Sequence, residues 1–119
     1  MRQLEHTEVS SPGPKSPVRR IYVCHPFSMN PARNAERVRT VCRSLVESGQ
    51  LPIAPQVYLP QFMDEATERE HALRLCLELV GACDALFVYG ACITDGMLQE
   101  IEHAQAHGIP VQLVDAEVV

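Results

Sequence analysis

A chain of 119 residues, 46% of them hydrophobic, is long enough for one buried core and too short for two. With 10 Lys and Arg against 15 Asp and Glu, its formal charge of −5 excludes a protein that holds a nucleic acid polymer chiefly by neutralising phosphates. A small anionic ligand stays allowed, because a helix N-terminus and one or two arginines bind it without a basic surface.

Five cysteines, Cys24, Cys42, Cys76, Cys83 and Cys92, contain no Cys-x-x-Cys pair and fall mostly at apolar positions. An odd set in that arrangement suits free thiols in a reducing cytoplasm better than disulfides. No apolar run is long enough to cross a bilayer, and the polar, proline-rich start does not read as a signal peptide. The expectation is a cytoplasmic protein with no membrane partner.

Residues 1–18 include Ser10-Ser11-Pro12-Gly13-Pro14-Lys15-Ser16-Pro17 and few apolar groups, too few to offset the entropy of ordering, so a disordered tail is expected there. Arg20-Ile21-Tyr22-Val23-Cys24 reads as the first strand, closed by His25-Pro26. After Phe27-Ser28-Met29-Asn30-Pro31 the spacing predicts a helix over 32–47, with Val38, Val41, Cys42, Leu45 and Val46 as its apolar stripe and Gly49 at its end. Asn34 is placed to cap this helix and also to reach a ligand. A second strand is expected over 51–58, short and near an edge because Pro52 and Pro55 cannot donate to a ladder.

Tyr58-Leu59-Pro60-Gln61-Phe62-Met63 forms a loop able to fold over a ligand. A helix over 64–81 follows, carrying Ala72, Leu75, Cys76, Leu79 and Val80 at helical spacing, with Leu73 and Leu77 widening the stripe. Asp84 opens the third strand, Ala85-Leu86-Phe87-Val88-Tyr89, and is expected to make structural hydrogen bonds to loop amides. Beyond Gly90-Ala91-Cys92-Ile93, either Thr94 or Asp95 followed by Gly96 has the chemistry of a helix N-cap, which places Glu100 in the opening turns of a helix over 97–107. A last strand spans 111–114, after Gly108-Ile109-Pro110.

Strand and helix alternate throughout, the pattern of a three-layer α/β domain with a four-stranded, mostly parallel sheet of Rossmann or flavodoxin-like type. If the second strand lies on one side of the first and the third on the other, the loops after strands one and three diverge and leave a crevice. The ligand site then falls between 25–34 and 90–100.

Each polar residue there also has a plainer reading. Glu100 can be a surface glutamate favoured by the helix dipole, and the His25-Pro26-Phe27-Ser28 run can be loop structure. His103 and His107 stand four apart on one helix, but the sequence places no third ligand near them, so a solvated face is expected and no metal. Cys24 is most simply core. Arg33, Arg37 and Arg39 lie on a polar helix face, and of these Arg33 alone is near enough to the N-terminus to contact a phosphate.

The same segments carry a family resemblance. Ile21-Tyr22-Val23-Cys24-His25-Pro26-Phe27, Asn34, Pro52-Ile53-Ala54-Pro55, Cys83-Asp84-Ala85-Leu86-Phe87-Val88-Tyr89-Gly90 and Gly96-Met97 with Glu100-Ile101 and Ala104 resemble a family of small bacterial and phage proteins of unknown function. That family is similar to the nucleoside 2-deoxyribosyltransferases. The resemblance implies one such domain over 19–119 that cleaves or transfers the N-glycosidic bond of a nucleoside or nucleotide, without metal or organic cofactor. It makes Glu100 the nucleophile and Tyr22 its positioning partner. Thr94 and Gly96, with Gly90, Asp95 and Met97 in the same loop, stand where ribose or phosphate is held, and His25, Pro26, Phe27 and Ser28 line the sugar or base side.

One departure concerns a second acid, which the related enzymes carry on the preceding helix two turns before the aspartate that Asp84 matches. Here that place holds Cys76. Asp95, Glu78 or a residue of a neighbouring subunit are the candidates to replace it. The alternative function is a non-catalytic module that binds or sequesters a nucleotide-derived ligand. The resemblance also implies a homo-oligomer, and Tyr58, Phe62, Leu73 and Leu77 offer apolar surface for it.

Overall fold

The computed structural model describes residues 17–27 and 29–114. Ser28, and nearly all of the expected N-terminal tail, lie outside the described residues. Four strands, β1 (Arg20–Cys24), β2 (Leu51–Ile53), β3 (Ala85–Val88) and β4 (Val111–Leu113), alternate with helices α1 (Pro31–Glu47), α2 (Arg69–Gly81) and α3 (Asp95–Ala106). The strand order is β2-β1-β3-β4, and all three pairings are parallel. The sheet is therefore wholly parallel where a mostly parallel one was expected, and the first strand is flanked by the second and third as the crevice argument required.

Because β1 is central, both of its faces are covered, and the alternation of a strand divides its residues between two cores. Ile21 and Val23 pack on one face with Val38, Val41 and Leu45 of α1. Tyr22 and Cys24 point to the other face, among Val80, Leu86, Met97 and Ala104, where α2 and α3 lie. Full burial of an aliphatic side chain such as Ile21 or Val38 contributes about 1.5–3 kcal/mol. The three layers follow from this division.

Several expected boundaries shift. β2 stops at Ile53; expected strand residues beyond it form a short 3-10 helix, Pro55–Val57, and the expected loop after them contains a second, Leu59–Gln61. Pro55 and Pro60 favour such turns, because a proline near the start of a helical turn gives up an amide that would be unpaired anyway. α2 begins at Arg69, later than expected: the preceding residues form a turn in which Asp64 Oδ1 accepts from the Ala66 amide at 2.9 Å and Glu68 Oε1 accepts from the Asp64 amide at 2.8 Å.

The cap of α1 is Asn30, whose side chain accepts from the Arg33 amide, with Pro31 as the first helical residue. Asn34 is thus a residue of the helix, not its cap, and its Nδ2 donates to the Phe27 carbonyl at 3.0 Å. Val46 and Leu75, both assigned to apolar stripes, are 51% and 38% exposed and belong to the helix flanks.

Asp84 is tied to Arg20. Its Oδ2 accepts from the Arg20 amide at 2.7 Å and from Nε at 3.2 Å, and its Oδ1 accepts from Nη2 at 3.2 Å. The partner is the neighbouring strand's backbone and guanidinium, where loop amides were expected, and the contact clamps the entry of β3 to that of β1. The Arg20 hydrogen bonds hold the Asp84 carboxyl below its ordinary range.

Candidate active site

Tyr22 projects from the middle of β1 toward α3, and Glu100 lies in the second turn of that helix, so the two meet across the layer between sheet and helix. The Tyr22 hydroxyl donates to Glu100 Oε2 at 2.8 Å. Two residues along the strand, on the same face, the Cys24 thiol donates to Glu100 Oε1 at 3.3 Å. Each carboxylate oxygen therefore has one neutral donor.

The electrostatics of Glu100 are set by burial. A carboxylate near a helix N-terminus is ordinarily held ionised by the dipole and by amide hydrogen bonds. Its donors are instead two side chains, and burial pushes the Glu100 carboxyl above its ordinary value despite both of them. Burial, with the nearby Glu100 charge, pushes the Tyr22 phenol well up and the Cys24 thiol up, so both keep their protons and act as donors. The reason is position: α3 starts at Asp95, which leaves Glu100 against the sheet, beyond the amides of the first turn.

Glu100 forms part of the wall of a cavity of about 380 Å³, within the range of small-molecule sites. Of the residues expected at a site, Tyr22, His25, Phe27, Thr94, Asp95, Gly96, Met97 and Glu100 line it. Pro26, Asn34 and Gly90 are not among its lining residues. They brace the loop behind it. Gly90 has φ of +97°, and a Cβ there would stand 2.9 Å from Pro26 Cδ, so the close approach of the two loops requires glycine. Thr94 is the cap of α3, its Oγ1 accepting from the Met97 amide at 3.2 Å, which commits that amide to the helix end. Arg33 is exposed and outside the cavity lining.

The far wall comes from residues that the crevice argument did not reach. Gln56, Leu59, Pro60 and Met63 arrive from the segment of 3-10 turns, Glu65 from the turn before α2, and Arg69, Ala72, Leu73 and Cys76 from the start and inner face of α2. In the sequence, only the loop after β2 stands out as able to cover a ligand. Arg69, Ala72, Leu73 and Cys76 repeat at intervals of three and four, one face of a helix, a spacing that in the sequence reads as packing. Arg69 Nη1 lies 3.8 Å from Glu65 Oε2.

Cys76, where the resemblance places an acid, borders the cavity beside Tyr22, and burial holds its thiol up at about 11. Among the replacements considered for that acid, Asp95 borders the cavity, whereas Glu78 is exposed and is not part of the lining. His103 and His107 stack with ring centroids 4.2 Å apart, and among the described residues no cluster of three metal-binding side chains forms. No described helix is long and apolar enough to cross a membrane.

The comparisons with known proteins agree with this architecture. A solved structure of a 2-deoxyribosyltransferase from the psychrotolerant bacterium Bacillus psychrosaccharolyticus, studied as a biocatalyst for nucleoside synthesis, matches with a TM-score of 0.58 and 24% identity. The match covers 81% of this chain and 72% of that one, and it establishes a shared fold. No curated protein matches. Residues 19–114 match the model of a domain of unknown function, DUF7768, and the chain belongs to that family.

Proposed function

We propose that this protein is an N-glycosidic enzyme acting on a nucleoside or nucleotide, with Glu100 as nucleophile. The observation that carries the reading is the Glu100 carboxylate, fixed by Tyr22 at 2.8 Å and Cys24 at 3.3 Å, at the wall of a cavity of nucleoside size. A carboxylate so placed can attack the anomeric carbon as its bond to the base breaks, forming a glycosyl ester. The base leaves with the bonding electrons and takes up a proton. Water then hydrolyses the ester, or a second base accepts the sugar. Thr94, Asp95 and Gly96 at the head of α3 hold the sugar side, with His25 and Phe27 opposite, and no metal or organic cofactor takes part. The fold shared with a 2-deoxyribosyltransferase supports the choice of substrate class.

Tyr22 orients the carboxylate and partly offsets the effect of burial on its charge. Thiol usage supports a cytoplasmic setting, with all five cysteines free. Exposed Phe62 and Tyr58, on the segment that borders the cavity, support a homo-oligomer.

A second reading, a module that binds a nucleotide-derived ligand without turning it over, is favoured by Cys76. Its thiol, held at about 11, is a poor proton donor for a departing base. The test is mass spectrometry of small molecules after incubating the native protein and its Glu100→Gln variant with pooled nucleosides, deoxynucleoside monophosphates and NAD. Free base with the native protein alone establishes the enzyme. Ligand retained equally by both, without released base, establishes the binding module.

A further inference from the structure

Two acceptors in the cavity lining have no partner among the described residues. His25 is 5% exposed, and its Nδ1 lies 2.7 Å from the Pro26 carbonyl oxygen. A carbonyl only accepts, so Nδ1 carries the proton, and in the neutral ring Nε2 is left as a bare acceptor. Burial, with Arg37 nearby, lowers the His25 pKa, which keeps the ring neutral. Nε2 is buried without a hydrogen-bond partner, and so is Oε1 of Gln56. The Gln56 orientation is fixed by the same logic, because its Nε2 donates to the Val23 carbonyl at 3.0 Å.

An unpaired buried acceptor has given up its water without a replacement, a cost that a ligand removes by bringing a donor. The rest of the lining is also rich in acceptors, with Glu65, Asp95 and Glu100 against Arg69 as its charged groups. We infer that His25, with Gln56 as a second acceptor, is a specificity residue whose Nε2 reads a hydrogen-bond donor on an uncharged nucleoside. That donor is an exocyclic amino group of the base or a hydroxyl of the sugar. Both acceptor atoms are closed to water, so a small side-chain rotation accompanies ligand entry. The inference rests on the reading of the site as one for nucleosides, and it adds what that site selects.

The test is calorimetric binding, which needs no turnover, of two ligand pairs. Deoxyadenosine against purine 2′-deoxyriboside, which lacks the amino group and gains no other donor, probes the base amino group, and deoxyadenosine against 2′,3′-dideoxyadenosine probes the 3′-hydroxyl of the sugar. The variants are His25→Asn, whose shorter amide can still donate to the Pro26 carbonyl but loses the distal acceptor, and His25→Gln, whose Oε1 can replace it. The native protein is expected to prefer the donor-bearing member of one pair by roughly tenfold or more. That preference collapses in His25→Asn and returns in His25→Gln, and the pair that responds identifies the donor. Where His25→Asn fails to fold by circular dichroism, His25→Phe, which keeps the ring volume, takes its place. Nucleoside binding with the same preference in native and acceptor-less proteins, or with no preference in either pair, overturns the inference alone. No binding of any nucleoside overturns the nucleoside reading and the inference with it.

Discussion

Tyr22 and Glu100, 78 positions apart in the chain, meet through a 2.8 Å hydrogen bond that spans the gap between the central strand and the last helix. The bond joins a phenol that burial keeps protonated to a carboxyl that burial pushes toward protonation. Its strength therefore governs both where the carboxylate points and how much of it is charged at neutral pH.

Removing that donor is expected to do two things. A hydrogen bond to a charged group contributes about 1.5–3 kcal/mol, so Tyr22→Phe should slow base release by roughly 10-fold to 100-fold. Because the Tyr22 bond lowers the Glu100 pKa, its loss should also move the acid limb of the kcat/KM profile to higher pH. A uniform fall in rate with an unmoved acid limb would show that Tyr22 does not act on Glu100.

Glu100→Gln should abolish turnover, by on the order of 10³-fold or more, while raising the melting temperature at pH 7. Glu100 has a folded pKa above its unfolded one, so the ionised form destabilises the fold. That penalty is fully present above the folded pKa and disappears as pH falls below the unfolded value near 4.3. The difference in melting temperature between variant and native protein should shrink over the same interval. A native protein that is the more stable of the two at pH 7 would contradict burial as the dominant influence.

Cys76 stands at the cavity wall where the resemblance places an acid. Restoring a carboxyl with Cys76→Asp supplies a proton donor and should accelerate base release, by roughly 10²-fold if the leaving base limits the rate. The second carboxyl will also repel Glu100, so a lower melting temperature is expected alongside. Faster release measured by chromatography of the free base would support chemistry at this site, and no released base from either protein would favour the binding module.

Gly90→Ala should destabilise the protein by roughly 1–3 kcal/mol, since φ of +97° strains an L-residue and the new Cβ meets Pro26 Cδ at 2.9 Å. The affected loop carries His25, so ligand affinity should fall with stability. Chemical denaturation reads the first effect, and calorimetry with the ligand that binds the native protein reads the second. By contrast Gly96, where an added Cβ would meet nothing within 4 Å, should accept alanine with little change in stability.

How far the sequence carried can be judged from particular residues. Apolar residues on both parities of Ile21-Tyr22-Val23-Cys24 mark a strand covered on two faces, and it is the second in the sheet order. The cap chemistry at Thr94 locates the start of α3 and with it Glu100. Asn34 is not the cap that its position suggests, because Asn30 with Pro31 offers the same chemistry four residues earlier. The second strand is shorter than its pattern suggests because an apolar, proline-containing run looks alike in an edge strand and in 3-10 turns.

Alternating strands and helices, the apolar periods and the cap residues are local properties, and they were enough to determine a parallel α/β domain with a crevice at the strand ends. Which polar groups face one another was decided only by tertiary packing. The Tyr22 and Cys24 bonds to Glu100, the closure of the cavity by Gln56 and α2, and the rise of the Glu100 pKa all join segments far apart in the chain. Burial sets the charge of a carboxylate through everything that displaces water from it, and no local pattern records that sum.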